Sequence, residues 1–287
     1  MKHTLKTFAL LLLSTLCPVA VTAALRLPHL VGDGMVLQCN AEASLWGWCS
    51  PHSEVRVETS WSDTAVTTHA DAEGRWQLFV PTPDASFEAR SITIAADGER
   101  IVLNDILTGE VWICAGQSNM EMPVRGFWSC PVEGAAEVLF TAAEYPGLRF
   151  ATLPRTESDE PQEDALTCWR HCTPENAEWF SAVGTFFARR LGRGLNVPVG
   201  IIVCAWGGST VEGWLPKDVA REFPDCAARE KAEYSFARPW LMYNGMFSPA
   251  RRFTVRGFLW YQGCSNVGDH ATYADRQCRM SELWRAR

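Results

Sequence analysis

The chain has 287 residues, which at roughly 150 residues per domain leaves room for about two domains, each large enough to bury a core. Apolar residues make up 47% and charged residues 21%, with no low-complexity tract, which excludes a disordered chain. Lys and Arg total 26 against 33 Asp and Glu, a formal charge of −7, so the basic footprint that grips a phosphate backbone is absent and nucleic acid is excluded as a partner.

Residues 1–23 read as an export signal. Lys2 and Lys6 supply positive charge, Phe8 to Leu16 is mostly apolar, and Val21-Thr22-Ala23 offers the small residues of a cleavage site. A mature start near Ala24 and a periplasmic or extracellular location follow as expectations. Ser14, Thr15, Pro18 and Thr22 interrupt the apolar run too early for a span of about 20 residues, and no later segment is long enough to cross a bilayer. Bulky Leu16 argues against Cys17 as a lipoprotein cysteine. Of the eleven cysteines, several others sit in apolar strand-like runs where a free thiol serves as a small hydrophobe, and spacing assigns no disulfide pairs.

The segment 24–104 alternates short apolar runs with turn residues, the pattern of a small β-sandwich. Val55-Arg56-Val57, Trp76 to Val80 and Ser91 to Ile94 are strands; Asp97-Gly98 is a two-residue hairpin, because both positions tolerate positive φ, and Glu73-Gly74 makes another turn. Over 105–287 apolar strands alternate with longer helical stretches, which predicts an α/β unit with parallel strands joined by crossover helices. Its three main strands are Val111 to Ala115, Val199 to Ala205 and Val255 to Tyr261. Between the first two, Phe180, Val183, Phe187 and Leu191 share a helical face, with Arg189, Arg190 and Gly192 expected to close that helix.

Each strand runs into a polar, glycine-containing turn: Gly116 to Glu121, Trp206 to Thr210, and Gln262 to Asn266. Ligands of open α/β sheets bind outside the carboxyl ends of the strands, so the three turns are expected to converge on one crevice. Ser118, at a strand-to-helix turn, is placed for nucleophilic work, although a lone serine there is more often a helix N-cap. The motif differs from the Gly-x-Ser-x-Gly elbow of the α/β-hydrolases. Gly207-Gly208 would let a backbone N–H approach a substrate oxygen, and Gln262 would add an uncharged donor; a tight turn and a strand-end hydrogen bond are the plainer alternatives. Cys168-x3-Cys172 with His171 between them suggests half a zinc site, but no second ligand pair follows at finger-like spacing, so no metal is expected.

Gly109 to Pro123, reading Gly-Glu-Val-Trp-Ile-Cys-Ala-Gly-Gln-Ser-Asn-Met-Glu-Met-Pro, resembles the nucleophile block of the sialate O-acetylesterases, which belong to the SGNH hydrolases. Asn196 to Gly200 with Trp206 to Trp214 is similar to the second block of that family, and Leu259 to Gly263 to the third. Met35 to Gln38 and Leu45 to Trp48 resemble the β-domain that precedes the hydrolase in bacterial members. The resemblance implies a three-layer α/β/α hydrolase in which Ser118 is the nucleophile, and its own N–H, Gly208 and Gln262 form the oxyanion hole, with Gly207 sharing or exchanging the part of Gly208. It implies no cofactor.

Two departures stand out. Cys264 occupies the place of the third block's usual Glu, and the Asp-x-x-His that gives the family its catalytic base is missing: none of the six histidines, His3, His29, His52, His69, His171 and His270, has Asp three residues before it. Losing a triad member removes most of the rate even where the oxyanion hole persists. Tyr273 to Trp284 reads as a helix with no strand after it, although a crossover helix ordinarily returns to its sheet, so a carboxyl-truncated sequence with open apolar surface is expected.

The function implied is removal of acetyl groups from hydroxyls of sialic acid through a serine nucleophile, with impaired activity in this chain. Arg125 is a candidate partner for a sialate carboxylate, with a solvated surface role as the alternative. Two alternatives compete: a non-catalytic carbohydrate-binding protein, and an acetyl esterase acting on another polysaccharide such as xylan. The thirteen tryptophans suit a sugar-handling surface as well as a core.

Overall fold

The computed structural model describes residues 24–286; the expected export signal lies outside them. In the first unit the strands are β1 (Val36–Gln38), β2 (Glu42–Trp48), β3 (Glu54–Thr59), β4 (Val66–His69), β5 (Arg75–Pro81) and β6 (Ser86–Ala96). Every second residue of β3 and β5 is apolar, and these residues, Val55, Val57, Trp76, Leu78 and Val80, are the buried ones. The β2–β5 pair thereby packs its inner face against β3 and β6 around one core that includes Leu45, Trp46, Ile92 and Ile94, which is the expected sandwich. Asp97 and Gly98 both adopt positive φ, 56° and 78°, and close the hairpin at the Ala96–Glu99 pair. The Glu73-Gly74 turn carries the chain between the two sheets, since β4 and β5 belong to different ones.

Strand β7 (Glu99–Gly116) crosses the expected 104/105 boundary without a break. Its first half pairs antiparallel with β6, then β1 joins it in parallel at Leu107 to Gly109, and its last half pairs in parallel with β10 (Val199–Ala205) and β11 (Gly257–Tyr261). No linker separates the units, so the sandwich anchors the strand whose far end carries Ser118. The second unit adds β8 (Leu148–Thr152) and β9 (Trp169–His171), giving the order β11-β7-β10-β8-β9, parallel except for β9.

Successive residues of the parallel strands feed opposite faces. Cys114, Ile201 and Val203 join Phe150 and Phe180 in a core covered by the helix Ala182–Leu195, with the two phenylalanine rings stacked 4.1 Å apart. Ile113, Ala115, Ile202 and Cys204 face the other way, beneath Val211–Trp214, Tyr243–Phe247 and the helix His270–Ala286. Trp284 stacks on Phe247 at 3.8 Å and stands edge-on to Trp214, Phe258 and Trp260. These layers make the α/β/α arrangement expected. One helix end differs: Gly192 lies inside the helix, which continues to Leu195 and stops at Asn196 in the left-handed conformation, φ 55°. Among the described residues no helix is long and apolar enough to cross a membrane.

Candidate active site

The three turns meet at the carboxyl end of the sheet. Gly116 pairs with Ala205 on one side and Tyr261 on the other, and a Cβ there would lie 2.2 Å from the Tyr261 carbonyl oxygen, so only glycine fits. Directly after it, Gln117 is buried and its side-chain oxygen accepts the Gly263 N–H at 3.0 Å, tying the first turn to the third. The following helix is a single turn, Ser118–Glu121, shorter than the strand-to-helix pattern suggests. Its contribution is therefore the unpaired N–H groups of a first turn rather than a summed helix dipole.

Ser118 is half-buried, and a Cβ on Gly207 would stand 3.4 Å from the Ser118 Cβ, which sets the second turn against the serine. The Gly207 N–H is already taken: it donates to Glu121 Oε2 at 2.8 Å, while Glu121 Oε1 receives Arg155 Nε at 2.5 Å. The N–H groups of Ser118 and Gly208 have no partner among the described residues. Gly208 holds φ at +82°, and Phe236 packs so closely that a Cβ on Gly208 would meet its ring at 3.0 Å.

Gln262 is brought to the second turn as well, but both its amide hydrogens are engaged, one by the Ser209 carbonyl at 3.0 Å and one by Asn266 Oδ1 at 2.8 Å. Its oxygen accepts from the Tyr273 hydroxyl at 2.9 Å, and burial pushes the Tyr273 phenol up, keeping the proton it donates. In this arrangement Gln262 braces the turn that carries Gly208. Beneath it lies a charged cluster. Asn266 donates to both oxygens of the fully buried Glu212, which pairs with Arg276, and Arg276 reaches on to Asp225 at 2.6 Å and 2.7 Å.

Arg125 makes no bond to these turns among the described residues. Its guanidinium lies over the Trp179 ring, 3.5 Å from the centroid, and its backbone N–H bonds to Glu178. Two residues that motif spacing did not single out, Glu121 and Glu212, fix the geometry; their only signal was a carboxylate set inside an otherwise apolar or glycine-rich block.

Ser118 Oγ has no hydrogen-bond partner among the described residues. His171 lies level with Arg149, and through it with Val111, seven positions before Ser118, which is roughly 20 Å along the strands. The His171 ring contacts Asp105 at 3.0 Å and the His29 ring contacts Asp164 at 2.9 Å, and neither imidazole bonds to the serine. Cys172 is buried and Cys168 exposed beside His171, and all ten described cysteines are free thiols. Chemically, the crevice offers a serine hydroxyl with the turn Gly207-Gly208 against it, and the N–H groups of Ser118 and Gly208 are left unpaired among the described residues.

Comparison with known proteins points the same way. The family model described as carbohydrate esterase, sialic acid-specific acetylesterase matches residues 108–286. The chain is 28% identical over 267 residues to the sialate O-acetylesterases of Pongo abelii and of Homo sapiens, an overlap of 84% of this chain and 49% of theirs. It thus spans about half the length of these curated relatives. Among solved structures it is similar to a carbohydrate acetylesterase from Xanthomonas citri, with TM-score 0.80 and 32% identity over 92% of this chain and 57% of that one.

Proposed function

The chain belongs to the family of sialic acid-specific acetylesterases among the carbohydrate esterases, and from that membership we propose that it acts in removing O-acetyl groups from sialic acid, with Ser118 as the attacking group. The observation that carries this is the placement of Ser118 against Gly207-Gly208, with the Ser118 and Gly208 N–H groups unpaired. Attack of Ser118 Oγ on the acetyl carbonyl, with the hydroxyl proton passing to solvent, gives a tetrahedral intermediate whose oxyanion those two N–H groups would receive; its collapse breaks the ester bond to the sugar oxygen, which takes up a proton, and water then releases acetate from the acyl-serine and restores the Ser118 hydroxyl. Gln262 would join as a third donor only by releasing Ser209 or Asn266. No cofactor enters this chemistry. The amino-terminal charge and apolar run favour an exported location.

The test is acetate release from O-acetylated N-acetylneuraminic acid by the chain and its Ser118→Ala variant. Release by the first and none by the second is expected. A panel including acetylated xylan reads the sugar preference, and equal rates across it would remove the sialate assignment. One observation favours a second reading, a carbohydrate-binding protein without catalysis: the absence of a hydrogen-bonded base at Ser118 Oγ among the described residues. Sugar binding that survives Ser118→Ala, with no acetate released by either form, would establish it.

A further inference from the structure

We infer that Arg155 is the residue that recognises the carboxylate of an acidic sugar substrate; the inference rests on the sialate reading above and names the group that would select for it. Arg155 makes a single hydrogen bond among the described residues. Its Nε donates to Glu121 Oε1 at 2.5 Å, and no bond engages its terminal nitrogens among the described residues. The side chain is 53% exposed, so the outer edge of the guanidinium is open to a ligand. A guanidinium anchored through Nε presents its two terminal NH2 groups in a fixed plane, the fork that matches a carboxylate's two oxygens, and anchoring removes the flexibility that an arginine ordinarily loses on binding.

Position ties this fork to the chemistry. The other oxygen of the same Glu121 carboxylate holds the Gly207 N–H at 2.8 Å, and Gly207 lies against Ser118. One carboxylate therefore separates Arg155 from the turn beside the nucleophile, which places the fork on the edge of the crevice. The Trp206 ring, 5.9 Å from the guanidinium carbon, flanks it. Arg125, the cation that proximity in sequence favours, has its guanidinium spread over Trp179 instead. The electrostatic need is specific too. With a formal charge of −7, the chain as a whole repels an anionic sugar, so a local, oriented cation has to reverse that repulsion at the site.

The experiment compares N-acetylneuraminic acid with its methyl ester, which differ in the carboxylate charge, by calorimetric titration of the full chain. Charge-assisted hydrogen bonds of this kind predict about a tenfold or greater preference for the acid. Arg155→Gln should abolish the preference while leaving the ester's affinity in place, and Arg155→Lys should restore part of it. A purely structural role for Arg155 would weaken both ligands alike, and that result would overturn the inference. So would an Arg155→Gln variant that still prefers the acid, a wild-type chain without preference or binding, or loss of the preference in Arg125→Gln. Acetate release from the same preparations reads the esterase assignment separately: selective binding of the acid without acetate release ends the enzymatic reading and leaves Arg155 as the carboxylate's partner.

Discussion

Glu121 and Gly207 are joined across two turns: the carboxylate at the end of the serine's helix accepts the glycine N–H at 2.8 Å, and so decides which glycine of the pair keeps a free donor. Removing that acceptor leaves Gly207 and Arg155 without their partner. Hydrogen bonds to a charged group are worth about 1.5–3 kcal/mol, so Glu121→Ala should lower unfolding stability by that amount, measured by urea titration, with Glu121→Gln in between because its amide oxygen still accepts the Gly207 N–H. Amide exchange at Gly207 should accelerate in the Ala variant. An unchanged urea midpoint would show that this bond does not hold the turn.

The Glu212–Arg276 pair presents a different balance, since both side chains are sealed from solvent. Breaking a buried pair strands a charge and costs about 3–5 kcal/mol, whereas replacing both members by apolar groups is often close to neutral. Arg276→Met should therefore be severely destabilising by urea unfolding, and Glu212→Leu combined with Arg276→Met should recover much of the loss. Recovery will be incomplete, because Asn266 Nδ2 also loses its Glu212 acceptors. Equal stability of the single and double variants would mean that the pair's charges are not the source of the cost.

Much of this site was legible along the chain. The three apolar runs ending in glycine turns fixed the strands β7, β10 and β11, and parallel pairing then brings their ends together. What escaped was long-range pairing: Glu212 and Arg276 lie 64 residues apart, and no spacing rule joins them. A charge between Val211 and Gly213-Trp214 hinted that a partner was needed without saying which. The 104/105 position falls inside β7 for a related reason. The pattern of side chains changes there because the neighbouring strands change, while the backbone of β7 stays extended through it. Gly192 misled as a helix stop, since Asn196 tolerates the left-handed conformation four residues later.

Asp225 gives the cluster a pH signature. Burial pushes its carboxyl up, but the hydrogen bonds and charge of Arg276 outweigh this and hold it below the usual carboxylate range. Because the folded value is depressed, the stabilisation is complete above the unfolded carboxylate's pKa of about 3.9 and is lost as pH falls through the lower folded value. Wild-type stability should thus decline on acidification below about pH 4. Asp225→Asn should flatten that part of the decline in urea midpoints measured across pH 2.5 to about 6. Identical pH profiles for the two proteins would remove Asp225 from the acid response.

The thiols divide by burial, and the division predicts their reactivity. Cys114 and Cys204 sit in the central strands, where burial pushes the Cys114 thiol up to about 12 and the Cys204 thiol higher still. Cys172 and Cys226 are likewise pushed up to about 11 by burial. The attacking form is the thiolate, so these four should resist alkylation at pH near 8 for as long as the fold persists. Cys130, Cys168, Cys264 and Cys278 are exposed and should be modified first. Iodoacetamide labelling read by peptide mass spectrometry, with and without urea, checks this. Labelling of Cys114 in the native chain at the rate of Cys264 would mean that β7 opens at its serine-bearing end, and the packing of that strand between two cores would have to be abandoned as the device that holds Ser118 in place.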